Sequence, residues 1–333
     1  MSRTAIQGFT PKETLRLAQL VTDRRLELIL FPTEKCNFRC TYCYEDFALG
    51  RMKRETINSI KELIKRRAEQ LDVLYLTWFG GEPLLALDII LEISAYAAEL
   101  TREYPALSHQ GSMTTNAYRL DPPTFSALAN VGVLNYQISL DGPREIHNRT
   151  RVKADGGESF DTIWENLLAI RETDFPAQIK LRLHFSADTV SQLDPLIEDI
   201  KRQFLPDPRF IIFFKAIGRW GGPNDHNIQL LSEEQEHAAI RRLTTKLYGD
   251  EFASMEKESP ICYASRPNSL VIRSDGRIGK CTAALNDSRN VIGSLRPDGT
   301  LALNQKLIRP WLRGLETLDA DILACPLVGL PSE

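Results

Sequence analysis

Apolar runs alternate with amphipathic stretches along the first two thirds of the chain. The apolar runs predict strands at residues 26–31, 73–79, 110–115, 134–140, 179–185 and 210–216. Each run is followed by a polar stretch, such as 55–71 or 191–204, in which apolar residues recur at helical spacing. Because strands that alternate with helices pair in parallel, the pattern predicts an α/β fold built from six strand–helix units.

The pattern changes after about residue 255, where short apolar runs are separated by turns. Asp275-Gly276 and Asp298-Gly299 are typical of tight hairpins, since glycine adopts the positive φ that such turns need. We therefore expect four parts: a helical extension at 1–25, a large α/β unit at 26–230, a connecting helix at 231–257 and a small α+β module at 258–333.

Composition excludes several classes of protein. The chain has 333 residues, of which 43% are hydrophobic, and a net charge of −3 without a basic stripe, so a nucleic-acid partner is not expected. No apolar run is long enough to span a membrane, and no signal-peptide pattern occurs. The expected location is the reducing cytoplasm, where clustered thiols more often bind metals or carry out redox chemistry than form disulfides.

Three of the six cysteines, Cys36, Cys40 and Cys43, form a C-x3-C-x2-C array. Three thiolates are one ligand short of a closed tetrahedral zinc site. In an iron–sulfur cubane they hold three irons and leave the fourth open. An open iron near strand ends can chelate a small molecule through an amine and a carboxylate, and S-adenosylmethionine (SAM) carries both groups. An incomplete zinc site is the alternative interpretation.

The array and the segments after the predicted strands together resemble the radical SAM enzymes. In that family a [4Fe-4S] cluster with one open site reduces SAM and releases a 5'-deoxyadenosyl radical. The resemblance makes Cys36, Cys40 and Cys43 the catalytic cluster ligands, and it places the aromatic Tyr42 against the adenine. It also implies a partial (β/α)6 barrel, whose active site lies at the carboxyl ends of the strands.

Further SAM contacts follow from the same resemblance, which covers about residues 26–220. A Gly-Gly-Glu-Pro turn would let the backbone approach the methionyl amine and would offer it a carboxylate, at Gly80, Gly81, Glu82 and Pro83. Ser139 and Asp141 match the ribose contacts, and Arg151 matches the arginine that binds the carboxylate. Asn116 fits a Thr-Asn-Gly pattern, although Ala117 stands where the family has glycine.

The other three cysteines lie in a tail that resembles the start of a SPASM or twitch domain. Such domains carry auxiliary iron–sulfur clusters and occur in members of the family that modify peptides and proteins. The full SPASM pattern continues with four clustered cysteines, whereas this tail has Cys325 alone after Cys281. We therefore expect at most one auxiliary cluster, at Cys262, Cys281 and Cys325. Three inert, buried cysteines are the alternative.

The tail implies a ribosomally made precursor peptide as substrate and a crosslink as product, either a cyclophane, a thioether or an ether. An electron donor of the flavodoxin or ferredoxin type would supply the reducing electron. Some 25 residues precede the first strand, too few for a winged peptide-recognition domain, so a separate leader-recognition protein is a further expected partner. Thr282 stands where sulfatase-maturating relatives place an aspartate base, which argues against formylglycine formation.

Three residues at the predicted barrel mouth are candidates for the substrate channel: Arg219 and Trp220 after the sixth strand, and His184 on the fifth. The alternatives are that the first two cap the barrel and that the histidine is a satisfied core residue. Two rival functions stay open. One is a radical SAM enzyme that acts on a metabolite, or that cleaves or epimerises a peptide; the other is a non-catalytic iron–sulfur or zinc protein.

Overall fold

The computed structural model describes residues 17, 18, 20–253 and 261–331. These residues form a ten-stranded sheet and a separate two-stranded pair. The strands in chain order are β1 (Arg25–Leu30), β2 (Phe38–Cys40), β3 (Val73–Trp78), β4 (Ser108–Thr115), β5 (Val133–Leu140), β6 (Arg151–Lys153), β7 (Gln178–Phe185), β8 (Phe210–Ala216), β9 (Ser269–Ile272), β10 (Arg277–Gly279), β11 (Gly293–Leu295) and β12 (Leu301–Leu303). The large sheet has the order β12-β11-β10-β9-β1-β3-β4-β5-β7-β8.

The predicted parallel α/β fold is confirmed. The six predicted strands are β1, β3, β4, β5, β7 and β8, with bounds that differ from the predicted ones by at most two residues. Each of them pairs in parallel with the next. The last three residues of β5 and of β7 are all buried. Burial of successive residues is expected where helices cover a parallel sheet.

The helices, in chain order, are α1 (Arg54–Ala68), α2 (Leu87–Glu103), α3 (Pro122–Asn130), α4 (Arg144–Thr150), α5 (Phe160–Arg171), α6 (Asp194–Gln203), α7 (Glu233–Tyr248), α8 (Asp250–Ala253), α9 (Gln305–Thr317) and α10 (Ala320–Ala324). The predicted helices at 55–71 and 191–204 correspond to α1 and α6. Helix α6 begins later than predicted, because Pro195 lies in its first turn, where the missing N–H of proline has no partner to lose.

The C-terminal strands continue the sheet of the α/β unit. Strand β9 pairs in parallel with β1, and β10, β11 and β12 follow as antiparallel neighbours. Both predicted hairpins are present, with Gly276 at φ 86° and Gly299 at φ 78°. A Cβ on residue 299 would lie 2.4 Å from the Leu63 nitrogen, so the second hairpin packs directly on α1. The segment expected as a small module at 258–333 thus covers the edge that β1 would otherwise expose.

Two predicted segments lie partly outside the described residues. Of the expected extension at 1–25, residues 1–16 and 19 are not described. The connecting segment at 231–257 contains α7 and α8, and its residues from 254 onward are likewise outside the description. Among the helices that are described, none is long and apolar enough to cross a membrane.

Candidate active site

The cysteine array lies in the loop that follows β1, at the carboxyl end of the parallel strands. Inside this loop β2 pairs antiparallel with β6, and Cys40 lies opposite Arg151. The Thr41 N–H donates to the Thr150 carbonyl over 2.9 Å and extends the pairing. The arginine that follows α4 is therefore held beside the cysteine loop.

The Gly-Gly pair after β3 packs against the backbone that leads into the array. Gly80 has φ 112°, and a Cβ there would lie 2.3 Å from the Thr33 carbonyl oxygen. A Cβ on residue 81 would lie 2.6 Å from the Lys35 carbonyl oxygen. The Glu82 N–H donates to the same Lys35 oxygen over 3.0 Å. These glycines allow two backbone segments to touch, which fixes the first cysteine relative to the end of β3.

Glu82 and Pro83 lie behind the wall of the site rather than on its surface. The Glu82 carboxylate accepts hydrogen bonds from the Leu84 N–H (3.0 Å), the Thr115 hydroxyl (2.8 Å) and the Asn116 N–H (2.7 Å). It is fully buried, and burial raises its pKa. This carboxylate therefore ties the end of β3 to the end of β4, a role that the sequence pattern did not suggest.

Tyr42 is the centre of a buried polar network. Its hydroxyl donates to Asp141 Oδ1 over 2.9 Å, accepts from Arg151 Nη1 over 2.8 Å and lies 3.2 Å from His184 Nδ1. The Thr150 hydroxyl donates to the other Asp141 oxygen over 2.9 Å. Arg151 Nη1 is also 3.9 Å from the Asp141 carboxylate. The network fixes the tyrosine ring and the guanidinium, and it occupies the Asp141 carboxylate with protein partners.

One cavity of about 280 Å³ joins most of the predicted site residues. Its walls include all three cysteines of the array and eight other candidates: Tyr42, Gly80, Gly81, Asn116, Ser139, Arg151, His184 and Trp220. Seven candidates are not part of its walls: Glu82, Pro83, Asp141, Arg219 and the three tail cysteines. Arg219 instead donates to the Ile228 carbonyl over 2.7 Å and holds its own loop.

Asn116 lines the cavity despite the departure at the next residue. Its side chain accepts from the Tyr118 N–H (3.0 Å) and donates to Asn37 Oδ1 (2.9 Å) in the cysteine loop. Ala117 has φ 60°, in the left-handed region that glycine favours. The turn expected for Thr-Asn-Gly is thus kept with alanine in the glycine position.

Three charged residues of the cavity were not candidates in the sequence analysis: Arg182, Lys215 and Glu45. Arg182 lies on β7 beside Ser139 of β5 in the strand register, and its side chain donates to the Ser139 hydroxyl. Lys215 stands opposite His184 in the pairing of β7 with β8. Glu45 is buried, and burial raises its pKa to about 8. Arg182 lies two residues before the candidate His184 on the same strand, and Lys215 lies opposite His184 on the next strand. The alternation of side chains along a strand would therefore have identified both as cavity candidates.

The tail cysteines are brought together outside this cavity. The Cys262 N–H donates to the Leu323 carbonyl over 2.8 Å, which places the 262 segment beside α10 and Cys325. Burial raises the pKa of the Cys262 thiol, and Cys281 and Cys325 each raise it further. Ala283, two residues after Cys281, is part of the cavity wall. Of the tail cysteines, Cys281 thus contacts the cavity wall, since its thiol accepts from the Ala283 N–H over 3.4 Å.

The buried thiols of the first array are poor ligands until a cation binds them, because burial opposes their ionisation. Burial is the main reason why the pKa values of Cys36, Cys40 and Cys43 are raised, so a bound cation is needed to hold them as thiolates. Within the described chain, no three His, Cys, Asp or Glu side chains close on one metal ion.

The sequence matches the description "Radical SAM superfamily" over residues 30–198. The chain belongs to this superfamily, and the resemblance found in its motifs is confirmed. The family implies a [4Fe-4S] cluster and SAM.

Curated relatives differ in the substrate that their names give. A GTP 3',8-cyclase of Paenarthrobacter nicotinovorans is 34% identical over 141 residues, which is 41% of this chain and 36% of that protein. A cysteine-type anaerobic sulfatase-maturating enzyme of Clostridium novyi is 23% identical over 231 residues, covering 66% of this chain and 59% of that protein. The matched segments thus span less than two thirds of either relative.

A solved structure described as native anSMEcpe with bound AdoMet and Cp18Cys peptide has a similar fold. Its TM-score is 0.62 at 20% identity, and the superposition covers 85% of this chain and 80% of that one. At this identity the likeness supports the fold, which agrees with the family assignment.

Proposed function

We propose that this protein reductively cleaves SAM at a cluster held by Cys36, Cys40 and Cys43, and that it abstracts a hydrogen atom from a ribosomally made peptide to form an intramolecular crosslink. The single observation that carries the proposal is the cavity in which these cysteines meet polar groups from the ends of four neighbouring strands. When bound together, the cluster and SAM supply a 5'-deoxyadenosyl radical.

The residues of the chain would prepare the site for that chemistry. Gly80 and Gly81 leave room for the methionyl amine, and Arg151 is the donor for the carboxylate. Ser139 and Asn116 lie on the cavity wall as further polar contacts. Asp141 and Glu82, which we expected as direct contacts, are better described as positioning residues, because their carboxylates already bind protein donors. Aromatic side chains close the cavity, and exclusion of water protects a radical from side reactions.

The charge of the cavity favours a peptide over a nucleoside triphosphate. Three basic residues line it, and two of them have a carboxylate nearby: Arg151 lies 3.9 Å from Asp141, and Lys215 pairs with Glu236 at 3.2 Å. Arg182 is then the lining cation without a carboxylate partner in the described chain. A triphosphate carries several charges and is usually held by several unpaired cations. A peptide does not need several unpaired cations, and the similar AdoMet-bound structure is described with a bound peptide.

The tail cysteines support the oxidative part of the proposal. A crosslink replaces two bonds to hydrogen with one new bond, so the peptide loses one hydrogen atom, one proton and one electron. An electron acceptor is therefore needed after the first abstraction. An auxiliary cluster at Cys262, Cys281 and Cys325 would take this electron, and the Cys281 thiol accepts from the N–H of Ala283 in the cavity wall. We propose an external flavodoxin or ferredoxin as electron donor and a separate protein for leader recognition.

The test is SAM turnover by protein that has been reconstituted with iron and sulfide under anaerobic conditions. We expect SAM binding, reductive cleavage to 5'-deoxyadenosine, and a loss of two mass units in a co-expressed precursor peptide. The variant with all three early cysteines changed to alanine should lose the cluster and the cleavage, whereas the variant with Cys262, Cys281 and Cys325 changed should keep cleavage and lose crosslinking. Iron binding without SAM cleavage would support the non-catalytic reading instead.

A further inference from the structure

Arg182 is a half-buried cation whose hydrogen-bonding capacity is only partly used. Its side chain lies on β7 inside the barrel and lines the cavity. Nε and Nη2 both donate to one acceptor, the Ser139 hydroxyl, over 3.1 and 2.9 Å. A guanidinium has five N–H donors, so three of them have no partner among the described residues. Burial also lowers the pKa of this guanidinium, which reflects the cost of holding the charge there.

The neighbouring groups compensate this charge only in part: burial lowers the pKa of Arg182 most, Arg151 lowers it further, and Asp141 raises it. Arg151 is a second cation whose charge acts on Arg182, and His184 is held neutral because burial lowers its pKa. The nearest carboxylate network, around Asp141, is already hydrogen-bonded to Tyr42 and Thr150. Desolvated and unpaired charges are costly in folded proteins. An unpaired guanidinium on a cavity wall therefore indicates an anionic ligand.

We propose that Arg182 binds a carboxylate of the peptide substrate and thereby selects an acidic group next to the site of hydrogen abstraction. This inference rests on the proposed function and names the chemistry of its substrate. One guanidinium with donors on two nitrogens matches one carboxylate, which it binds through two parallel hydrogen bonds. The carboxylate comes either from an aspartate or glutamate side chain or from the C-terminus of the peptide.

The guanidinium of Arg182 places this subsite beside the groups assigned to SAM, because it donates to Ser139, and on the side of the cavity away from the Gly-Gly turn. Gly80, Gly81 and Asn116 follow β3 and β4, and Arg151 pairs with the cysteine loop. Arg182 and His184 lie on β7, and Lys215 and Trp220 follow on β8 and the loop after it. Trp220 is 46% exposed, so this side of the cavity reaches the surface of the molecule. A peptide that enters past Trp220 meets Arg182 on the way to the cluster.

Binding of short peptides to the anaerobically reconstituted, SAM-saturated protein tests the subsite. The probes are acetylated and amidated alanine pentapeptides with a central aspartate, glutamate, asparagine or glutamine, and an acetylated pentaalanine with a free C-terminal carboxylate. We expect an acidic peptide to bind at least about tenfold more tightly than its amide twin. Arg182→Gln should reduce this ratio to about one, and Arg182→Lys should retain part of it. Calorimetry measures each dissociation constant.

Lys180→Gln is the matched control, because Lys180 lies on the same strand but is exposed and outside the cavity; its ratio should equal that of the wild type. The central-residue and C-terminal probes distinguish the two sources of the carboxylate. Equal affinity for acidic and amide peptides, or no measurable binding of any probe at millimolar concentration, overturns the inference. So does a preference that exists without SAM and disappears when SAM is added, since the guanidinium would then bind the SAM carboxylate.

The same samples distinguish failure of the proposed function from failure of the carboxylate subsite. If wild-type protein fails to form 5'-deoxyadenosine, the proposed function is wrong whatever the peptides do. If it cleaves SAM normally but shows no preference for a carboxylate, the subsite alone is wrong. GTP that competes with the acidic peptides at micromolar concentration would also overturn the peptide assignment and would indicate a phosphate ligand.

Discussion

Ala117 shows how a single residue adapts to a turn that glycine usually makes. Its φ of 60° places an L-residue in the left-handed region, which costs about 1–2 kcal/mol. The residue is fully buried, so its methyl group also contributes about 0.8 kcal/mol through burial. The two effects nearly cancel, which explains how alanine is tolerated beside Asn116.

We therefore expect Ala117→Gly to change the free energy of unfolding by less than about 0.5 kcal/mol, because relief of strain offsets the lost methyl group and the greater freedom of the unfolded chain. Ala97→Gly is the control, since Ala97 is equally buried but lies inside α2. It should cost about 2 kcal/mol. Urea denaturation of both variants measures the difference, and equal losses would show that Ala117 is unstrained.

At the scale of elements, the site depends on contacts between loops that follow different strands. The Gly80-Gly81 turn after β3 touches the backbone of residues 33–35 after β1. The loop after β8 touches the backbone at the third cysteine, because a Cβ on residue 222 would lie 2.4 Å from the Cys43 carbonyl oxygen. The cysteine loop is thus held between two glycine contacts, one before the first thiol and one at the third.

Gly81→Ala should disturb this arrangement while leaving the strands in place. A methyl group there meets the Lys35 carbonyl at 2.6 Å, and overpacking of this kind costs about 1–3 kcal/mol. We expect lower iron content after anaerobic reconstitution and weaker SAM binding, measured by iron assay and equilibrium titration. Gly50→Ala is the control, because a Cβ at residue 50 would meet nothing within 4 Å. Equal iron content in the two variants would contradict the role given to the Gly-Gly turn.

On the scale of the whole molecule, the C-terminal segment is joined to the active-site loop by a buried ion pair. Arg273 Nε donates to Glu34 Oε1 over 3.1 Å, and its Nη2 donates to Oε2. Its Nη1 also donates to the Leu285 carbonyl over 3.0 Å. Glu34 stands two residues before Cys36, and both partners of the pair are buried. The tail is therefore part of the structure that positions the first cysteine.

Arg273→Met should lower the free energy of unfolding by about 3–5 kcal/mol, because it leaves the Glu34 carboxylate buried without its partner. The double variant with Glu34→Gln should recover much of this loss, since no uncompensated charge remains. Arg24→Met removes the pair between Arg24 and Asp72, whose side chains are 56% and 48% exposed, and should lower the free energy of unfolding far less than Arg273→Met. Urea denaturation checks all three, and a double variant no more stable than Arg273→Met would argue against the buried charge as the cause.

The sequence by itself determined the six strands of the α/β unit, their parallel fold and the superfamily to which the cysteine array belongs. Alternation of apolar and polar residues reports which face of an element is buried, and this depends on neighbours close in sequence. The C-x3-C-x2-C spacing and the Gly-Gly-Glu-Pro turn are likewise local, so the superfamily could be recognised before any contact was known. The observed bounds of the six predicted strands differ from the predicted bounds by at most two residues.

Only the tertiary structure decided which polar groups reach the cavity. Glu82 and Asp141 belong to the family motifs, yet their carboxylates are occupied by protein donors behind the wall. Arg182 belongs to no motif, yet it lines the cavity because β7 lies beside β5 in the sheet. The sequence also gave no sign that β9 pairs with β1. Such outcomes depend on which distant segments come together, and a buried polar group takes whichever partner that packing brings within reach.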